Sequence, residues 1–399
     1  MTRRVLLPLI GRDPSEAHRT STPLELLFDL CFVVAVAQAG TGLHHALAEL
    51  HVRDALVGYS TVFFAIWWAW VNFTWFASSY DNDDLAYRFG VFVQIGGVLV
   101  LAAGVPRAFA GSDFAVVTVG YLIMRTALVA GWLRAAKDDR AHRRTNLRYA
   151  EGIGACQLGW VALLVLPGEL RMTGFIVMAA LEMTVPVWAE RATPNPWHPH
   201  HIAERYSLFT TIVLGETILA ATLAVQSALD SGGRLDEVSE VAVTGLVAVC
   251  AMWWLYFDRP NESQVSGLRE RWDSTTATSS FVWGYGHYFV LAGAAAVGAG
   301  LAVAVDHATG SSTITPSGAA LSVAVPAAFY LIAVTLLHSS HWTRRDTVAL
   351  LAGVLMVALA AMGAPVISTA LVLAAAAAQM PKSASSNEAT SESSPSSST

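Results

Sequence analysis

Charge is scarce in this chain: 14% of its 399 residues are Asp, Glu, Lys or Arg, against about 25% in an ordinary soluble domain. That deficit excludes a conventional soluble globule. A hydrophobic share of 54% and a mean hydropathy of +0.49 make the chain a membrane protein instead. Cysteine is scarce too. Cys31, Cys156 and Cys250 all fall within apolar runs and no CxxC pair exists, which leaves no disulfide framework and no cysteine-based metal signature. Walker A, GxSxG, dinucleotide and HExxH patterns are missing as well, so an ATP-driven pump, a soluble-type hydrolase and zinc-protease chemistry have no basis. A formal net charge of −6 argues against a nucleic-acid partner. The first twenty-odd residues carry Arg3, Arg4, Arg12, Asp13, Glu16 and Arg19 without an apolar core of signal-peptide length, and no cleavage is expected.

What is present is apolar sequence along nearly the whole length. Windows between charged or Pro/Gly-rich breaks predict an all-α, polytopic transmembrane bundle of about twelve spans. They fall at 24–47, 55–78, 86–109, 114–134, 148–167, 171–190, 202–225, 239–257, 280–304, 318–340, 346–362 and 364–380. The last pair is separated only by Met362-Gly363-Ala364-Pro365, so counts of ten to twelve are defensible. With the N-terminus inside, 19 of the 24 Lys and Arg residues lie in inside segments and 4 outside, with Arg125 within a span. By the positive-inside rule this predicts both termini in the cytoplasm.

The halves share landmarks. Glu25 opens the first span and Glu204 the seventh; Trp67-Trp68 and Trp253-Trp254 follow in the next helices; Tyr121-Leu122-Ile123 and Tyr330-Leu331-Ile332 fall in the fourth of each set. These raise a six-plus-six duplication of the parallel-repeat kind, although Trp pairs also recur at interfaces through their amphipathicity. The expected division is a cytoplasmic segment 1–22, membrane halves 23–190 and 191–380, and a Ser-rich tail 381–399 too polar to fold.

Candidate functional residues are the charges that sit in or beside the spans, where a carboxylate or guanidinium needs a partner or water. Glu25 and Asp29, four apart, share a helix face near the cytoplasmic mouth, and a shared proton or bound cation is plausible for so close a pair. Thr22-Pro23-Leu24-Glu25 is also a capping-box pattern. His198, His200, His201 and Glu204 lie where a loop turns into a helix. His201 and Glu204 suit proton handling, the group offers metal ligands without a known zinc motif, and Glu204 and Arg205 could simply pair with other mouth residues. Arg125 and Glu216 lie near the middle of spans four and seven and are expected to pair, with Glu182 of span six as the competitor for Arg125. No metal and no cofactor is assigned.

The stretches Thr22 to Leu30 (TPLELLFDL) and His200 to Leu219 (HHIAERYSLFTTIVLGETIL) resemble the bacterial low temperature requirement A family. The resemblance runs from about Arg19 to Met380. It implies a polytopic bacterial inner-membrane protein linked to growth in the cold and brings no settled biochemical activity. Three readings stand at this point: a secondary transporter or ion- or proton-coupled permease of an unidentified small molecule or ion, an integral membrane enzyme acting on a lipid or lipid-linked substrate, and a non-catalytic scaffold. Membrane lipids are the partner common to all three.

Overall fold

In hydrocarbon every backbone N–H and C=O must be satisfied within its own segment, and the chain answers with helices throughout. The computed structural model describes residues 6–13, 16, 19–111, 113–230, 235–258, 277–339 and 342–379; the Ser-rich tail lies outside them. The helices are α1 (Pro23–Ala48), α2 (Val52–Tyr80), α3 (Leu85–Gly111), α4 (Ala115–Asp138), α5 (Arg143–Leu163), α6 (Gly168–Glu190), α7 (Pro199–Asp230), α8 (Leu235–Phe257), α9 (Ala277–Ala308), α10 (Pro316–His338), α11 (Arg344–Ala361) and α12 (Ile367–Ala378). Each overlaps one apolar window of the sequence. Their starts are written locally: Thr22 and Thr343 close capping boxes with Glu25 and Asp346, and Thr315 caps α10 ahead of Pro316, satisfying donors that the first turn leaves open.

Among the described residues, nine helices are long and apolar enough to cross a membrane. The other three are α5, with Arg143, Arg144, Arg148 and Glu151 in its first half, and the terminal pair α11 and α12. At ~1.5 Å per residue, the 12 residues of α12 reach ~18 Å, short of the ~30 Å hydrocarbon core. Large apolar side chains such as Leu158, Val165, Leu351 and Val354 stay exposed on the outside, as lipid contact requires.

Helix neighbours recur at an interval of six. α1 packs on α2 and α3, α3 on α4, α4 on α5 and α5 on α6; α7 packs on α8 and α9, α9 on α10, α10 on α11 and α11 on α12. The two closest antiparallel pairs, α3 with α4 and α9 with α10, are both made by glycines seven apart. A Cβ at Gly97 would fall 2.8 Å from the Gly120 carbonyl oxygen and one at Gly104 2.7 Å from Val117 N; one at Gly293 would fall 3.2 Å from Tyr330 Cα, and one at Gly300 would run into the Ser322 carbonyl. Small residues let backbones approach where no hydrophobic drive between helices exists. The halves meet where α1 packs on α7 and α9. One asymmetry stands out: α8 packs on α12, whereas α2 and α6 stand apart and touch through the rings of Phe64 and Phe175.

Trp67, Trp68 and Trp70 are buried in the core, whereas Trp253 and Trp254 are about half exposed, so the two Trp-Trp landmarks sit in different surroundings. α1 and α7 each begin with proline, and Glu25 meets His201 and Arg205 while Asp29 meets Arg205.

Candidate functional site

The i, i+4 face of α1 meets an i, i+4 face of α7. Both helices start on the same side of the bundle and cross one turn in, so Glu25 and Asp29 face His201 and Arg205. Asp29 receives Arg205 on both oxygens, Nε to Oδ2 at 3.1 Å and Nη2 to Oδ1 at 2.5 Å. Trp70 Nε1 of α2 donates to the same Oδ1 at 2.7 Å. Glu25 lies 3.0 Å from Arg205 Nη1 and 3.1 Å from His201 Nε2 through Oε1, and its Oε2 accepts from Thr22 N at 2.8 Å. All four charged or titratable side chains are fully buried. Two carboxylates and one guanidinium sum to −1 with His201 neutral and to zero with it protonated. His201 Nδ1 is buried with no hydrogen-bond partner among the described residues, so the ring has a vacant position for a proton beside a carboxylate.

The other mouth residues do not join this cluster. His198 Nε2 bonds the Glu16 carbonyl at 2.6 Å, His200 Nδ1 the Arg19 carbonyl at 3.2 Å, and Glu204 Oε2 accepts from Ser21 N at 3.0 Å. They diverge onto the N-terminal segment rather than converging as ligands, and no group of three His, Cys, Asp or Glu among the described residues has metal-holding geometry. The segment itself runs as a strap across this end of the bundle. Leu7 N donates to Asp84 Oδ2, Leu9 N to Asp138 Oδ2 and Gly11 N to Asp139 Oδ2, at 2.8, 2.9 and 3.2 Å. Arg12 N reaches the Ser79 carbonyl at 3.0 Å, and Arg19 caps the end of α2 at the Ala77 and Ser78 carbonyls. Leu9 is buried as the plug.

Two acids beneath the strap titrate in opposite directions. Burial pushes Asp81 up to about 6, with the nearby Glu25 carboxylate acting the same way. Burial also works against the charge on Asp84, but the hydrogen bonds from Arg134 and from the Leu7 and Tyr87 amides prevail and hold it at about 2.

Arg125 does not pair with Glu216. Its partners are Tyr121, whose hydroxyl accepts from Nη2 at 2.5 Å, and Glu182, 3.4 Å away; Tyr121 OH and Trp160 Nε1 both donate to Glu182 Oε2, at 2.7 and 2.9 Å. The reason is lateral: α4 packs on α3 and α5, whereas α7 packs on α9, α8 and α1, so equal depth does not bring the two charges together. Glu216 is half-buried and has no hydrogen bond or ion pair among the described residues. Sequence reasoning also missed Trp70, Tyr121 and Trp160 as partners of the buried acids. The detectable signal was an indole or phenol at the depth of each buried carboxylate.

The chain matches the family described as Bacterial low temperature requirement A protein over residues 20–381. It belongs to the bacterial low temperature requirement A family. The matched range contains Glu25, Asp29, His201 and Arg205, the four residues that meet at the α1–α7 crossing. The chain is also 26% identical over 294 residues to an uncharacterized protein of Rhizobium meliloti (strain 1021), a match covering 71% of this chain and 69% of that one. No solved structure matches the chain. This low temperature requirement A protein is accordingly a multi-pass membrane protein.

Proposed function

We propose that this low temperature requirement A protein is a proton- or cation-coupled secondary transporter built from two six-helix repeats, α1–α6 and α7–α12, with both termini in the cytoplasm. The observation that carries the reading is the cluster of Glu25, Asp29, His201 and Arg205. A structural ion pair needs one acid per base; here a second carboxylate and a titratable ring stand beside a completed bidentate pair, and one proton or monovalent cation balances them. The cluster lies where the first helices of both halves touch, so relative movement of the halves would open or close it, as alternating access demands. The recurring neighbour pattern and the matched glycine pairs support the duplication. Glu25, Asp29, His201 and Arg205 would hold the coupling ion, Glu204 would tie the strap over it, and Arg125 with Glu182 would brace the first half; Glu216 has no role in this scheme. The enzyme reading called for acids and histidines gathered in a cleft open to lipid headgroups, and Glu25 and His201 are instead fully buried.

The test does not require the transported solute. Purified protein reconstituted in liposomes on a solid-supported membrane should give a transient current on a pH jump, from protons entering the cluster. Glu25→Gln and His201→Gln should abolish it, and Glu216→Gln should leave it intact. A wild-type protein with no pH-dependent charge movement would sink the proposal.

A further inference from the structure

The gap between α2 and α6 holds a cavity of about 360 Å³, within the ~300–1,000 Å³ range of small-molecule sites. It opens at the face opposite the strap, where α4 and α6 begin and α5 ends. Phe64, Tyr121, Trp160 and Phe175 line its interior and pack edge-to-face, with Tyr121–Trp160 and Trp160–Phe175 centroids 6.0 and 5.2 Å apart. The polar atoms of Tyr121 and Trp160 are both spent on Glu182. The interior therefore offers ring surface, and charge is offered only at the rim, by Asp113 and Arg171.

Those two rim residues are both exposed, and no ion pair joins them. Asp113 Oδ1 accepts from Ala115 N at 3.0 Å, and Arg171 Nε donates to the Leu166 carbonyl at 3.0 Å. Each is thus held by its own backbone turn with charge to spare, one acid and one base at the mouth of an aromatic box. In the second half the corresponding space is closed, because α8 packs directly on α12. The chain leaves this room once and fills it in the other place.

We propose that this cavity binds a zwitterionic solute with an aromatic body, its ammonium group at Asp113, its acidic group at Arg171 and its ring among Phe64, Tyr121, Trp160 and Phe175. Such a molecule matches three features together: the apolar interior, the opposite rim charges and a volume that admits one ring system. Aromatic pairs gain from edge-to-face geometry beyond area burial, which favours a ring over a saturated chain. The site stands independently of the transport reading, since binding is measured without a gradient.

The experiment uses the full chain with Cys31, Cys156 and Cys250 replaced and Thr118→Cys introduced at the cavity wall, labelled by a small maleimide in detergent. L-Phenylalanine should slow labelling at lower concentration than phenethylamine or 3-phenylpropionate, each of which keeps one charge. Because a hydrogen bond to a charged group is worth ~1.5–3 kcal/mol, Asp113→Asn and Arg171→Gln should each weaken protection by phenylalanine about tenfold or more. Asp113→Asn should also abolish protection by phenethylamine while sparing 3-phenylpropionate, and Arg171→Gln the reverse. Both residues are exposed, so the variants test binding rather than folding. No protection by any of the three probes, or equal protection by all three, overturns the proposal. Protection that appears only in phosphatidylethanolamine vesicles and not in detergent with free phenylalanine also overturns it, by assigning the cavity to a lipid.

Discussion

Removing Arg205 should be far more damaging than removing either acid it serves. Arg205→Met leaves Glu25 and Asp29 fully buried with His201, Trp70 and the Thr22 cap but no cation fixed between them, and stranding a buried charge costs about 3–5 kcal/mol. Asp29→Asn keeps an oxygen for Trp70 and leaves Arg205 facing Glu25 at 3.0 Å, so the guanidinium is still paired and the net charge of the cluster falls to zero. Glu25→Gln disturbs least, because the bidentate Asp29–Arg205 contact survives; its cost is the weakened capping box, about 1 kcal/mol. At roughly 2 °C of melting temperature per kcal/mol for a large chain, Arg205→Met should lose about 6–10 °C and Glu25→Gln about 2 °C. Fluorescence-detected size exclusion after heating reads both. The double change Asp29→Leu with Arg205→Met should recover part of the loss, since an apolar pair of similar volume can replace the Asp29–Arg205 pair almost neutrally while Glu25 stays without its guanidinium, yet it should show no pH-jump current. An Arg205→Met protein as stable as wild type would refute the ion-pair reasoning. A double mutant with full current would reduce the cluster to packing.

Glu182→Gln should strand Arg125 with the Tyr121 hydroxyl as its remaining partner and cost about 3–5 kcal/mol, whereas Glu216→Gln should stay within about 0.5 kcal/mol; the opposite order in a thermal-stability assay would reverse the assignment of partners. Asp84 is held at about 2 in the folded protein against 3.8 for a free Asp, so its contribution to the strap is complete above pH 4 and is lost as pH falls through 2. Asp84→Asn should therefore raise hydrogen exchange at the Leu7 amide at neutral pH, and unchanged exchange would remove Asp84 as the anchor. Asp81 runs the other way: its folded value of about 6 lies above 3.8, so the stability it confers is present at low pH and fades as pH rises through 6. Asp81→Asn should flatten that loss between about pH 4 and 6 in a melting series, and an undiminished slope would count against it. A reporter fused after Gln379 should be active on the cytoplasmic side; activity only outside would overturn the orientation taken from the Lys and Arg bias.

The sequence is legible where a single segment decides the outcome. Each of the twelve apolar windows becomes a helix among the described residues because length and hydropathy act within each window, and Thr22-Pro23-Leu24-Glu25 becomes a capped start because the cap involves four consecutive residues. Glu182 as a competitor for Arg125 was also readable, from depth alone. The lateral arrangement was not: Glu216 lies at a suitable depth, but which helices neighbour α4 is set by the packing of the whole bundle. Glu25 and Asp29 at four-residue spacing were visible as a helix face, whereas the sequence reading paired His201 with Glu204 and not with Arg205, which stands four residues on. That the two faces meet depends on the crossing of α1 and α7. The strap shows the same limit, since Leu7, Leu9 and Gly11 find their acceptors about 77 to 129 residues away, at the start of α3 and the end of α4.

The register of α1 against α7 has a consequence for descent. If the halves are the repeats proposed above, α1 and α7 meet at like positions, and two identical copies of the first half would bring Glu25 against Glu25 and Asp29 against Asp29, four acids with no base. Two copies of the second half would oppose Arg205 to Arg205. Neither half can serve as its own mate, and the basic face of one is the complement of the acidic face of the other. Joining both in a single polypeptide fixes their ratio at one to one and forbids the mismatched pairings that separate genes would permit.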